Sequence, residues 1–276
     1  MTEVIVQELR IYPLKSARGI SLAHARLERT GLQWDRHWLA IRTDGRFLTQ
    51  RTQPALARIA TSLGERSLRL QTEGLEALEL PFEGPAIERE VRIWRDTLAA
   101  QDLGDAAAEW ISTALGEPAR LVRAPRTPAR RADTAFAGPR PVPLAFPDGY
   151  PVLVCNQASL DVLNERLTAA LPMERFRPNV VLSGLEPFAE DHIECVRIGR
   201  VRLKLVKPCT RCIIPSIDPR TGLRGEDPLP VLRTFRFDPA LRGVTFGENA
   251  IIETGVGQRI ECGARCEVTE ENTESR

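Results

Sequence analysis

Apolar and polar residues alternate with a period of two along much of the N-terminal part of the chain. The stretches TEVIVQELRIYPL, LAHARLERTGL, RHWLAIRTDGRFLTQR, SLRLQTEGLEALELP and REVRIWRDTLAAQDL carry the pattern and are rich in β-branched or aromatic residues. Such runs predict β-strands. Turn signals separate them, among them Thr43-Asp44-Gly45 and Glu73-Gly74. Short strands at regular spacing predict a sandwich or barrel. The period then becomes helical. Leu103, Ala107, Trp110 or Ile111, and Ala114 form a stripe that Asp105 is placed to cap and Gly116 to end.

A second strand-rich region starts at PVLVC. NQASLDVLNERLTAAL reads as a helix capped by Asn156 or Ser159, with Leu160, Leu163 and Leu167 on one face. NVVLSG, CVRIGRVRLKLV, FGENAIIETG and GQRIECGARCEV read as strands, and DPLPVLRTFR as a helical excursion with Pro228 near its start. Between the two regions, residues 123–151 hold seven prolines and five arginines. That composition predicts no regular element and reads as a surface loop or linker, or as a long loop whose arginines line an anion site. The fold expected is mostly β with a few helices, in the α+β class. Residues 1–122 would form a β-barrel-like domain with one helix, 123–150 a connecting loop, 151–268 a second β-barrel domain and 269–276 a polar, frayed tail.

Composition narrows the function classes. Lys and Arg number 38 against 37 Asp and Glu, so the net charge is +1. A charge balance this even gives no electrostatic footprint for nucleic acid. No run of 18 apolar residues is present to span a membrane. The first residues, MTEVIVQELRIYPLKS, lack the layout of a signal peptide. A cytoplasmic monomer is therefore expected, with its six cysteines as thiols or metal ligands. The three histidines, His24, His37 and His192, are scattered along the chain.

The stretch VKPCTRCIIPSIDPRTG, residues 206–222, concentrates the candidate chemistry. A redox Cys-x-x-Cys opens a helix, whose N-terminus acidifies the first thiol. Here the pair follows a strand-like run, and Ile213-Ile214-Pro215 after it also reads as strand. A structural zinc would need two further ligands. Cys262 and Cys266 are available but lie far along the chain, in what reads as one alternating strand. The third reading is a single thiolate for a thiophilic metal carried inside a cofactor. Arg211 and Lys207 would favour the ionised sulfur in that case.

The sequence resembles the MOSC family, the molybdenum cofactor sulfurase C-terminal domain, together with the accompanying MOSC N-terminal β-barrel domain. Within it the sequence is similar to the amidoxime-reducing branch and its bacterial counterparts. The likeness runs through IYPLKSARGI, WDRHWLAI, FLTQRTQPALARI, NQASLDVLNERL, FRPNVVLSG and CTRCIIPSIDPRTG, in that order along nearly the whole chain. It implies that Cys212 supplies the protein ligand to molybdenum. Thr210 and Arg211 match positions that contact the pterin cofactor. Lys15, Ser16, Arg36, Arg177 and Asn179 match elements that reach the cofactor from distant segments, and Asp148 matches a loop aspartate beside it. Arginine forks suit the phosphate and the pterin carbonyls of such a group.

The resemblance further implies a molybdenum-dependent oxidoreductase acting on a small N-oxygenated substrate, such as a hydroxylamine, an amidoxime or an N-hydroxylated base. The N–O bond would be reduced by two electrons with release of water, and Asp148 is the candidate proton donor. Electrons would come from an external donor, a ferredoxin or a flavin reductase. The cysteine spacing is not that of an iron–sulfur ferredoxin. With no desulfurase-like domain there is no lysine to assign to pyridoxal phosphate. The alternative is a non-catalytic carrier of the cofactor or of sulfur that uses Cys212.

Overall fold

The computed structural model describes residues 3–270. Its main body is a nine-stranded sheet. Eight of its strands run in the order 267–270, 193–198, 201–210, 243–254, 152–156, 180–183, 5–11 and 20–22, and Phe237–Asp238 adds to the edge of 243–254. Neighbours are antiparallel except Val152–Asn156 and Val180–Ser183, which run parallel. Parallel strands need a crossover, and the helix Gln157–Asn164 supplies it. The fold class expected from the sequence, mostly β with a few helices, is observed. The sheets are not closed barrels.

The first strand decides how the two halves are joined. Ile5–Ile11 pairs with Val180–Ser183 and with Ile20–Leu22, so it lies in the sheet otherwise built from the C-terminal half. Val6, Leu9 and Ile11 are at most 1% exposed and pack with Val154, Val180, Leu182 and Leu203. His24–Glu28 likewise pairs with Arg259–Glu261. The sheet boundary therefore does not follow the chain boundary near residue 122.

The remaining N-terminal strands form two small sheets, 38–42 with 119–123, 96–102 and 87–93, and 60–63 with 67–71 and 78–81. Trp38–Arg42 is buried on both faces. Trp38 and Ala40 join one core, while Leu39 and Ile41 join another. The helix Asp105–Leu115 covers the first core with Ala107, Ile111 and Leu115. Its N-cap is Gly104 rather than Asp105, which is the first helical residue. Gly116 ends it in the left-handed conformation, as expected.

Several local expectations are corrected. The helix 157–164 is half the length of the run that suggested it, because Asn164 exchanges two hydrogen bonds with the backbone of Leu171, at 2.9 and 3.0 Å, and turns the chain. Ile214–Ser216 is a 3-10 turn rather than strand, since Pro215 has no N–H for a ladder. Cys262 and Cys266 do not share a strand. A turn joins Arg259–Glu261 to Glu267–Glu270, Cys262 is exposed and Cys266 is buried in the main core. The Pro/Arg-rich segment is not a surface linker. It contains the short helix Thr134–Ala137. Ala132, Ala137, Val142, Leu144 and Tyr150 pack with Ile251 into a core of their own. Of the expected frayed tail, Thr269 and Glu270 pair with the strand 193–198, and residues 271–276 lie outside the described residues.

Leu9→Ala is expected to cost about 3 kcal/mol, as for a fully buried leucine. All four tryptophans, at 34, 38, 94 and 110, lie in the N-terminal half. Because the first strand belongs to the sheet of the other half, their fluorescence and far-UV circular dichroism should report one coincident urea transition, shifted together by the substitution. Two separated transitions would mean that the halves unfold independently.

Candidate functional site

A cleft lies where segments of both halves meet, and the nine candidate cofactor, metal and proton-donor residues line it. Lys15, Ser16, Arg36, Asp148, Arg177, Asn179, Thr210, Arg211 and Cys212 are all there. It encloses about 120 Å³ within a wider opening of about 770 Å³. Cys209, Tyr150, Thr49, Arg51 and Asn249 also line it and were not singled out.

The backbone is strained where it approaches the cleft. Ser16, Arg36 and Arg177 adopt φ of 70°, 46° and 57°, in the left-handed region that favours glycine. Each such residue costs roughly 1–3 kcal/mol, and such strain clusters at functional sites. Their side chains are what the cost retains. The Arg36 and Arg177 guanidinium groups lie over the Tyr12 ring, 4.6 and 4.1 Å from its centroid.

The two arginines differ in how fully they are used. Arg36 donates Nη1 to Asp35 Oδ2 at 2.6 Å and to Asn179 Oδ1 at 3.1 Å, and Nη2 to the Arg177 carbonyl at 3.0 Å. It has a carboxylate partner and acts as a brace. Arg177 donates Nη1 to the Ala17 carbonyl at 2.8 Å, while its buried Nη2 has no partner. Burial and the neighbouring Arg36 charge lower its pKa to about 10. A guanidinium destabilised in this way gains most from an incoming anion.

Asn179 is committed to the fold. Its Oδ1 accepts from the Leu153 N–H at 3.0 Å as well as from Arg36, and its Nδ2 donates to the Arg10 carbonyl at 3.2 Å. It ties three strand segments together at the cleft floor.

Lys15 is 6% exposed. Its ammonium donates to the Phe146 carbonyl at 2.8 Å and to Asp148 Oδ1 at 2.6 Å. Burial lowers its pKa to about 8 against the opposing pull of Asp148. For Asp148, burial pushes the carboxyl upward, but Lys15, Arg51 and Arg36 outweigh it and hold it below the ordinary range. The Asp148 side chain is still 58% exposed. Its Oδ1 accepts from the Lys15 ammonium and faces the Trp94 indole N–H. The proline-rich segment fixes this loop. Arg130 donates to the carbonyls of Pro147 and Asp148, the latter at 2.6 Å, and to Asp96 Oδ2 at 2.8 Å.

The cysteine element leaves the strand Val201–Thr210 at the cleft edge, with both thiols half-buried. Arg211 is directed mainly at Cys209 rather than Cys212. Its Nη1 lies 3.0 Å from Cys209 Sγ, and Nη2 donates to the Phe176 carbonyl at 2.6 Å. Burial opposes its charge, but Cys209, Cys155 and Cys212 together raise its pKa. Lys207, expected near the thiols, instead lies over the Phe136 ring at 4.4 Å.

Four buried side-chain donors in the cleft wall lack partners: Arg51 Nη2, Arg177 Nη2, Arg211 Nε and the Tyr150 hydroxyl. Unpaired buried donors are costly, about 1–3 kcal/mol each. A wall that collects four of them beside a thiol is built for a polar, anionic occupant. Arg51 sits inside a stretch that the sequence already marked, FLTQRTQPALARI, and Tyr150 lies two residues after the marked Asp148. Only the fold shows that their donors are left over.

Comparison with known proteins finds two family models along the chain. The MOSC N-terminal beta barrel domain model matches residues 3–118 and the MOSC domain model residues 141–271. The mitochondrial amidoxime-reducing component 1 of Mus musculus is 36% identical over 249 residues, covering 85% of this chain and 72% of that protein. The chain belongs to the MOSC family. Within the family, component 1 of Homo sapiens is 34% identical over 267 residues, covering 90% of this chain and 78% of the relative. Component 1 of Xenopus laevis is 32% identical over 247 residues, covering 84% and 71%. The cytoplasmic location expected from the sequence is corrected, because these MOSC relatives are by name mitochondrial. Among the described residues no helix is long and apolar enough to cross a membrane.

The buried Lys15 charge makes a pH prediction. Its pKa is about 8 folded and about 10.4 in an unfolded chain. Below pH 8 it is charged in both states, and its burial cost is fully present. Between those values the unfolded chain holds a proton that the folded chain has lost, so stability rises with pH. Relative to Lys15→Met, the wild type without cofactor should gain about 2 kcal/mol between pH 8 and 10. Urea denaturation across that range measures it, and a constant difference would contradict the assignment.

Proposed function

We propose that the cleft holds a molybdenum cofactor and that the protein reduces small N-hydroxylated substrates with electrons from a separate donor. The observation that carries the reading is the set of unpartnered donors from Arg51, Arg177, Arg211 and Tyr150 in one cleft with Cys212. Planar forks and a phenol suit a phosphate and the edge of a polar heterocycle. A half-buried thiol suits a thiophilic metal. The names of the relatives add the substrate class, amidoximes.

The chain's residues take distinct parts. Cys212 is the protein ligand to the metal. Arg177, with its unpaired Nη2, and Arg51 bind the anionic end of the cofactor. Thr210 and Ser16 lie along its edge. Arg36 and Asn179 keep Arg177 and the adjoining strands in place. Bound there, the cofactor supplies two-electron reduction of the N–O bond.

Asp148 holds and orients the Lys15 ammonium. With a pKa near 8, Lys15 is the cleft group suited to hold and release a proton near neutral pH. The donor is a small redox protein, a ferredoxin or a flavin reductase, that binds outside the cleft.

Metal analysis and turnover of a hydroxylamine substrate with an artificial reductant test the reading on protein made in a cofactor-producing host. Wild type should carry molybdenum near one equivalent. Cys212→Ser should lose more than tenfold of both metal and activity, while Cys209→Ser keeps most of the metal. Equal losses in the two variants would contradict the single-ligand assignment. Metal retained without turnover would point to a carrier.

A further inference from the structure

Trp94 stands outside the machinery described so far, and four observations single it out. It is 53% exposed, far more than the other large aromatic side chains around the cleft. It occupies the first of the two turn residues between Ile87–Ile93 and Asp96–Asp102, with φ of 56°. Tight hairpins place Gly or Asn at such a position, and a bulky ring there is strained. Its indole N–H points to Asp148 Oδ1 at 3.3 Å. One face is covered by Arg51, whose guanidinium lies 4.5 Å from the ring centroid.

A lone exposed aromatic needs no explanation, but this one is held in place at a cost. Phe47 packs edge-on against the indole at 5.0 Å. Asp96, two residues on, is clamped by Arg130, the same side chain that grips the Pro147 and Asp148 carbonyls. The hairpin tip is thereby anchored to the cleft loop. Asp148 and Arg51 both line the cleft, and Trp94 touches both, so the indole stands directly beside the cleft.

We propose that Trp94, backed by Arg51, is a specificity-determining shelf that stacks the flat conjugated part of the substrate and so favours aryl amidoximes and N-hydroxylated bases over aliphatic analogues. The inference rests on the proposed reductase function and deepens it. A rigid indole loses little entropy on binding a planar ring. Arg51 fixes its tilt from behind, and Asp148 fixes its edge.

The test compares benzamidoxime with acetamidoxime, which share the reacting group and differ in the ring. With the cofactor-loaded protein and an artificial reductant, the kcat/KM ratio of the two should fall about tenfold in Trp94→Ala and Trp94→Gly, mainly through KM for the aryl substrate, as loss of one stacking contact predicts. Trp94→Phe should keep most of the preference. Trp94→Gly also relieves the left-handed backbone, so its thermal unfolding separates misfolding from lost selectivity. Benzamidine should quench tryptophan fluorescence in the wild type and not in Trp94→Phe. An unchanged ratio in Trp94→Gly overturns the shelf. So does a loss seen only with a protein electron donor, which would make Trp94 a docking residue. If the wild type reduces neither substrate, the reductase reading fails, and the benzamidine titration still decides whether Trp94 binds a planar ligand.

Discussion

The structure turns on positive charge buried at a seam with too little negative charge to match it. Arg36 has Asp35, and Lys15 has Asp148. Arg177 is paired with backbone carbonyl alone, and Arg51 and Arg211 each retain a buried unpartnered nitrogen. Isolated folding would not favour this arrangement, because a buried cation without a counter-ion costs several kcal/mol. The deficit is removed when an anion enters. Under the proposed function, the cleft is half of an ion cluster whose other half is the ligand.

Holding those cations together requires the two halves of the chain to be one body. The first strand leaves the N-terminal half and pairs into the large sheet, ending just before Tyr12, whose ring lies under both Arg36 and Arg177. Asn179 then bonds across the strands at that point. The proline-rich segment closes the other side, because Arg130 binds the loop that carries Asp148. The sequence elements furthest from regular secondary structure are therefore the ones that shape the opening. Four of the seven non-glycine residues with positive φ among the described residues, Ser16, Arg36, Arg177 and Trp94, lie on or beside the cleft.

Much of this was legible in the chain. Period-two alternation located the strands because one face of each is buried, and Gly116 and Asp227-Pro228 marked helix ends by their local geometry. The candidate site residues came from the resemblance of short stretches to the family, and the fold brings them to one cleft. Non-local pairings were not legible. Nothing in IVQELRI states that its partner is Val180–Ser183 or that the halves would share a sheet. The packing of residues 123–151 was not legible for a related reason, since proline content argues against long regular elements yet says nothing about packing. The surroundings of Asp148 were not legible either, because Lys15, Arg36 and Arg51 lie far away in sequence. Arg51, Tyr150 and Trp94 became visible only once their unused donors and surroundings were seen in three dimensions.

A crystal structure of the cofactor-loaded protein, with the metal located by its anomalous scattering, tests the central claim most directly. The account predicts metal within bonding distance of Cys212 Sγ, and the cofactor's phosphate within hydrogen-bond distance of Arg177 Nη2 or Arg51 Nη2. Metal bound to Cys209, or a phosphate held elsewhere while those nitrogens stay unpaired, would contradict it.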